Sequence, residues 1–271
     1  MIAHLINTDV GNRGMLKVYL DYRKSNFDFL KNSAEILLDA ERVLLVTGFP
    51  VPPEGIPETD GPPGTLALYR ALAEVGKNPE ILTQESVKAA MMSFGKAFPL
   101  RFSDGDVSKY DAVVFVETPG RASDGNHYSM SGLRVEGETF DWVAEEAGLY
   151  GIPTVGIGDG GNEIGMGKVR ELVERYVPNG KKIATVVETD ELIVSAVSNW
   201  GAYGLVAELS LKTEKNLLKG WEEEFVVRVL VKAGLIDGVS KKREVSVDGI
   251  PMRIHGSVLE TLEGYVDWRL G

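Results

Sequence analysis

The sequence predicts an α/β fold: a doubly wound, Rossmann-like α/β/α sandwich around a mostly parallel sheet, with helices and a small hairpin towards the C-terminal end. Two observations carry this prediction. Short β-rich apolar runs recur along the chain, each followed by a glycine-rich or acidic loop and then by helical periodicity, the signature of βαβ units. The chain has 271 residues, 44% of them hydrophobic, enough for a full core and near the upper end for one domain, so 1–271 reads as a single α/β domain.

Taken in order, residues 19–40 are expected to form one lead-in helix, with Phe27, Leu30, Ala34, Leu37 and Leu38 as its buried stripe. Strands are expected at 42–47, 80–82, 112–116, 154–157 and 183–187, and helices at 64–75, 139–149 and 165–176. From 192 to 233 the chain reads as two helices broken near Gly220. Residues 243–247 and 251–255 flank Asp248-Gly249, a type I′ turn pair that predicts a hairpin, and a last helix is expected at 257–270.

Composition narrows the function classes. Lys plus Arg total 29 against 40 Asp plus Glu, and the net charge of −11 repels nucleic-acid phosphates and anionic lipid, so neither is an expected partner. A small anion remains compatible, because a nest of backbone N–H groups acts locally while distant charge is screened over roughly 8 to 10 Å. The absence of cysteine excludes disulfides, thiolate nucleophiles and cysteine metal sites. Chemistry then falls to carboxylates, hydroxyls, amines and three histidines. The first residues show no basic region leading into an apolar stretch, and the expected compartment is the cytoplasm, or a lumen if a longer precursor supplies the chain.

Ligands of open parallel sheets collect beyond the carboxyl ends of the strands, so the loops there carry the candidate residues. After the first strand, a long proline-rich loop brings Asp60. It can also be read as an ordinary helix start. After the third, Arg121 offers a planar fork for a carboxylate and Asp124 a proton acceptor, although each alone is an ordinary surface charge. After the fourth comes GIGDGGNEIGMGK, Gly156 to Lys168. Gly156, Gly158 and Gly161 fit a dinucleotide fingerprint, with Glu188 as the matching ribose acid. Asp159 and Glu163, however, put negative charge where a pyrophosphate would sit. The loop suits a carboxylate-binding task better, with the amides of Gly160, Gly161 and Asn162 as donors and Asp159 and Glu163 moving protons. After the fifth, Asn199 sits beside Trp200 and Gly201 in a helix and is read as a pocket wall.

The segments TGFPV, ETDGPPG, ETPGRASDGNHYSM, GDGGNEIGMGK and VSNWGAYGL, in this order between Thr47 and Leu205, resemble the D-glutamate cyclase family: the C-terminal domain of the mitochondrial enzymes and its stand-alone microbial relatives. The resemblance implies a hydro-lyase that dehydrates D-glutamate to 5-oxo-D-proline, with a small acidic amino acid as its partner. Chemistry then suggests Arg121 and the Gly160–Asn162 amides for the substrate's oxygens, Asp159 or Glu163 as base, and Asp60 or Asp124 for the leaving oxygen. No cofactor is required, although Mg²⁺ held by these acids is a second way to activate the carboxyl. The residues alone also admit an NAD-binding enzyme, a metal-dependent hydrolase of a small anion and a non-catalytic amino-acid binder. The apolar C-terminal helices offer a face for a second copy of the chain.

Overall fold

Five strands form one parallel sheet in the computed structural model, which describes residues 1–97 and 99–271. They are β1 (Arg42–Thr47), β2 (Asn78–Leu82), β3 (Ala112–Val116), β4 (Thr154–Gly158) and β5 (Glu191–Val194). Their order across the sheet is β2-β1-β3-β4-β5, and every neighbouring pair is parallel. β3 and β4 are buried along their whole length, as strands covered by helices on both faces must be. Alternate side chains go to opposite faces: Val43 and Leu45 join the larger apolar cluster, Leu44 and Val46 the smaller.

The larger cluster packs under the helices Met15–Tyr22, Phe29–Asp39, Pro62–Glu74, Ser198–Thr213 and Met252–Leu270. The smaller takes Phe140, Val143 and Ala147 from the region of helix Asp141–Tyr150. Helices therefore cover both faces of a doubly wound sheet. The connection after β1 runs to β2 and the one after β3 runs the opposite way to β4, and the crevice this opens lies beyond the ends of β1 and β3. Among the described residues no helix is long and apolar enough to cross a membrane.

Several expectations shift. The β-branched run at 183–187 does not join the sheet, and β5 lies at Glu191–Val194 instead. The 185–187 backbone binds loops: Thr185 N–H donates to Gly161, Val186 N–H to Arg121, and the Val187 carbonyl accepts from Gly165 and Gly167. An apolar run marks an extended segment but not its partner. The lead-in helix at 19–40 is two helices, broken between Tyr22 and Phe29, and Phe27 is 67% exposed. Ser25, Asn26 and Asp28 occupy the break, residues whose side chains compete for backbone bonds, as Asn26 does with the Tyr22 carbonyl at 3.2 Å.

At 165–176 a 3₁₀ turn, Gly167–Val169, precedes a helix that begins only at Arg170. The two helices expected from 192 onwards are preceded by β5 and span Ser198–Thr213 and Glu223–Ala233, with Gly220 between them. The hairpin forms with short arms, Ser246–Val247 and Ile250–Pro251. Asp248 (φ 57°) and Gly249 (φ 70°) adopt the left-handed pair a type I′ turn needs. The last helix starts at Met252, just after the hairpin.

Candidate active site

The crevice holds a cluster of carboxylates. The loop after β1 supplies Glu58 and Asp60, the end of β3 supplies Glu117, and the loop after β4 supplies Asp159 and Glu163, all 8% exposed or less. The hairpin turn adds Asp248, held in place because Asp237 accepts hydrogen bonds from Gly249 N–H and Ser246 Oγ at 2.7 Å. One guanidinium answers them: Arg13 pairs with Asp159 at 2.8 Å and with Asp248, and also donates to the Ala196 carbonyl at 3.1 Å. Arg13, Glu58, Glu117, Asp159, Asn162 and Asp248 border a cavity of about 220 Å³, with Lys241 at its edge. That is below the roughly 300–1,000 Å³ of drug-sized sites, and so suited to a small metabolite.

The electrostatics follow from burial and crowding. Burial, then Glu163 and Asp159, raise the Glu117 pKa well above the carboxylate range. Burial likewise raises Asp159 against the pull of Arg13, and raises Glu163 against the Gly161 N–H that donates to its Oε2 at 2.8 Å. For Arg13 burial works against the charge, but Asp159 and Asp248 outweigh it and lift its pKa well above the usual value. So many acids around one cation cannot all ionise, and the cluster holds protons at neutral pH. Glu117 also stands on a left-handed backbone (φ 46°), uncommon for a residue with a side chain and frequent at functional positions. Its Oε2 accepts a 2.5 Å hydrogen bond from Ser198.

Asp60 has a different environment. Its two oxygens accept from the N–H groups of Ser198, Asn199 and Gly61 at 2.9, 2.8 and 3.0 Å, so it caps helix Ser198–Thr213 from a distant loop. Burial and then Asp248 push its pKa up to about 8, against those donors. A helix N-terminus thus does steady an acid here, but it is this helix rather than the one after the glycine loop.

The glycine loop works by close approach. A Cβ on Gly156 would lie 2.8 Å from the Gly165 Cα, so the loop folds back on its own strand only without side chains there. Gly161 (φ 97°) makes the turn that returns Glu163 to the cluster. The Gly161 amide is occupied by Glu163, so of the three proposed oxyanion donors this one is already used.

The residues named from sequence divide into three groups. Asp159, Glu163, Asp60 and Asn162, with Gly160 and Gly161, meet at the cluster. Asn199 is buried behind it: its Oδ1 accepts from Gly61 and Gly64 and its Nδ2 donates to the Thr59 carbonyl, which leaves a brace between two helices rather than a pocket wall. Arg121 and Asp124 do not come to the cavity. Arg121 pairs outward with Glu145 at 2.7 Å, while Asp124 is exposed and accepts from Tyr128 Oη at 2.6 Å. Sequence reasoning missed Arg13, Glu58, Glu117 and Asp248. Glu117, directly after a buried strand, was the legible one; Arg13 and Asp248 come from segments far from the sheet in sequence.

Fold and site together define a doubly wound α/β protein with a carboxylate-lined pocket at the switch point of its sheet. Residues 2–263 match the family of D-glutamate cyclase-like proteins, C-terminal region. Human (Homo sapiens) mitochondrial D-glutamate cyclase is 30% identical over an alignment of 324 residues, which covers 98% of this chain and 51% of that protein. The chain belongs to the D-glutamate cyclase family, and it spans about half the length of this curated relative. An exopolyphosphatase-related protein from Bacteroides fragilis is similar at a TM-score of 0.39 and 10% identity, over 90% of this chain and 60% of that one.

Proposed function

We propose that the chain is a lyase that dehydrates D-glutamate within the molecule to 5-oxo-D-proline. Family membership supports the reaction class. The observation that carries the reading is the set of buried carboxylates with raised pKa around Arg13, in a cavity sized for an amino acid.

In the cyclisation the α-nitrogen bonds to the γ-carboxyl carbon and one carboxyl oxygen leaves. Two protons depart from the substrate ammonium and both end on that oxygen, which is released as water. The site must therefore accept protons from nitrogen and return them to oxygen. A cluster that shares protons among crowded acids does both, with Asp159 or Glu163 accepting from nitrogen and a neighbouring acid held neutral by burial donating to oxygen. Glu117 takes the donor's place in this scheme better than Asp124, which is outside the cavity. Arg13 and Lys241 are the cations available to the substrate's own carboxylates. Because the reaction is intramolecular, folding glutamate into a near-attack shape in a small cavity supplies much of the remaining acceleration, on the order of several kcal/mol.

Incubating the full chain with D-glutamate and with L-glutamate and measuring 5-oxoproline tests the reading. Product from the D-isomer in preference to the L-isomer is expected. Saturable binding of D-glutamate with no product would leave an amino-acid binder instead.

A further inference from the structure

The two cations at the cavity are not equally free. Arg13 serves all of its side-chain partners, Asp159, Asp248 and the Ala196 carbonyl, through Nη2. Its Nη1 makes no hydrogen bond and is not enclosed, so one arm of a guanidinium on the cavity wall is unspent. Two acids already answer the charge of Arg13, which makes it a poor sole anchor for a further anion. Lys241 differs. Among the described residues it forms no ion pair, and its Nζ donates to the Pro52 carbonyl at 2.8 Å, which fixes the ammonium at the cavity edge and leaves its other hydrogens available. Lys241 also stands on a left-handed backbone (φ 57°), uncommon for a residue with a side chain. Asp237 builds that turn: its Oδ1 accepts from the N–H groups of Val239 and Ser240 at 2.9 and 2.8 Å, and its carbonyl accepts from Lys241 N–H at 2.8 Å. Because Asp237 Oδ2 holds the Asp248 hairpin, one buried acid sets both the lysine and a partner of Arg13. Gly238 lets the turn press onto the site, since a side chain there would collide with Glu58 Oε2.

We propose that Lys241, with Arg13 Nη1, holds the α-carboxylate of the substrate, so that a free α-carboxylate is the feature by which the site selects among amino acids with a side-chain carboxyl. The assignment rests on the cyclase reading, and chemistry separates the two carboxylates. The γ-carboxyl must become an electrophile, and a cation that stabilised its ionised form would oppose the protonation it needs, so the cluster acids are its better neighbours. The α-carboxylate keeps its charge from substrate to product, and a permanent cation suits it throughout. Such a contact binds substrate and transition state alike, so its loss acts mainly on KM.

D-isoglutamine, the α-amide, tests the subsite on the full chain. It keeps the α-amine and the γ-carboxyl, so it can cyclise to 5-oxo-D-prolinamide and water, but it offers no α-carboxylate. The wild-type chain should prefer D-glutamate by roughly tenfold or more in kcat/KM. Lys241→Met should lower kcat/KM for D-glutamate by about tenfold, mostly through KM, and that for D-isoglutamine far less, so that the preference collapses. Lys242→Met, at the exposed neighbour, should keep the preference. Equal use of both substrates by wild type, or an equal fall for both in folded Lys241→Met, overturns the subsite and leaves the cyclase reading intact. If neither substrate yields product, the cyclase reading falls, and calorimetry with the same two ligands decides the subsite. Tighter binding of D-glutamate that Lys241→Met abolishes keeps it; equal or absent binding overturns it.

Discussion

The loops that follow β3 and β4 look alike in composition, yet they do opposite things. Each is rich in glycine and carries acids, and the β3 loop adds an arginine. After β4, residues 159–163 turn inward, and Asp159 and Glu163 become two of the most deeply buried acids in the protein. After β3 only Glu117 stays in the crevice; by Arg121 the chain has reached the surface, where Arg121 and Asp124 take local partners. The difference comes from backbone held by backbone. Thr185 and Val187 clasp the glycine loop across its turn, and Gly120 N–H donates to the Asn162 carbonyl at 2.8 Å, which ties the two loops together at their base and leaves the tip of the β3 loop outside. A charged side chain acquires a raised pKa or a neighbour to exchange protons with only where such clasps bury it.

This contrast can be broken by mutation. Asp159→Asn removes a buried acid of the cluster that is also one partner of Arg13, and is expected to lower kcat/KM for D-glutamate by about 10²–10⁴-fold. A loss of under threefold would show that the inward loop is not where the chemistry occurs. Arg13→Ala leaves Asp159 and Asp248 without their cation and should cost about 2–5 kcal/mol of stability, measured by denaturant unfolding, since acids lose a buried partner.

The dependence of stability on pH sharpens the same comparison. Cluster acids with raised pKa keep protons in the folded chain that the unfolded chain releases. Their contribution is therefore greatest near pH 4 and is lost as the pH rises towards about 8, the value reached by Asp60. Melting temperature should fall between pH 5 and 9. Asp124, drawn down to about 2 first by the Tyr128 hydroxyl and then by Asn126, is already charged throughout that range. Asp124→Asn should leave the curve parallel to wild type. A curve that instead rises with pH would mean the cluster is ionised.

The smallest effects belong to the outward loop. Arg121→Ala and Asp124→Asn are expected to change kcat/KM less than threefold, and Arg121→Ala to shift stability by under about 1 kcal/mol, because its near partner Glu145 is solvent-exposed and its other partner, Asp141, is 3.8 Å away and keeps His127. A tenfold drop in kcat/KM for either would restore the role their sequence context suggests.

The layered α/β fold was legible because β-rich runs and helical periodicity are local: 42–47 and 112–116 match β1 and β3 residue for residue. Half the site was legible for a related reason. Asp159 and Glu163 lie in a loop whose many glycines serve no helix or strand, so the pattern itself signalled a constrained turn. Arg121 and Asp124 lie outside the cavity, a placement that residue type and proximity in sequence do not reveal, because they do not say which way a loop turns.

What the sequence determined by itself, then, was the alternation of strands and helices and the glycine loop's need for close backbone approach, since both follow from the spacing of neighbouring residues. Only the tertiary structure decided which carboxylates meet. Arg13 and Asp248 are 235 positions apart yet hydrogen-bonded, Asp60 caps a helix 138 positions away, and the 185–187 segment leaves the sheet to clasp the loops. The physical reason is that burial and charge pairing are properties of the packed chain: an acid's proton affinity depends on what surrounds it, and those surroundings come from segments that no local pattern connects.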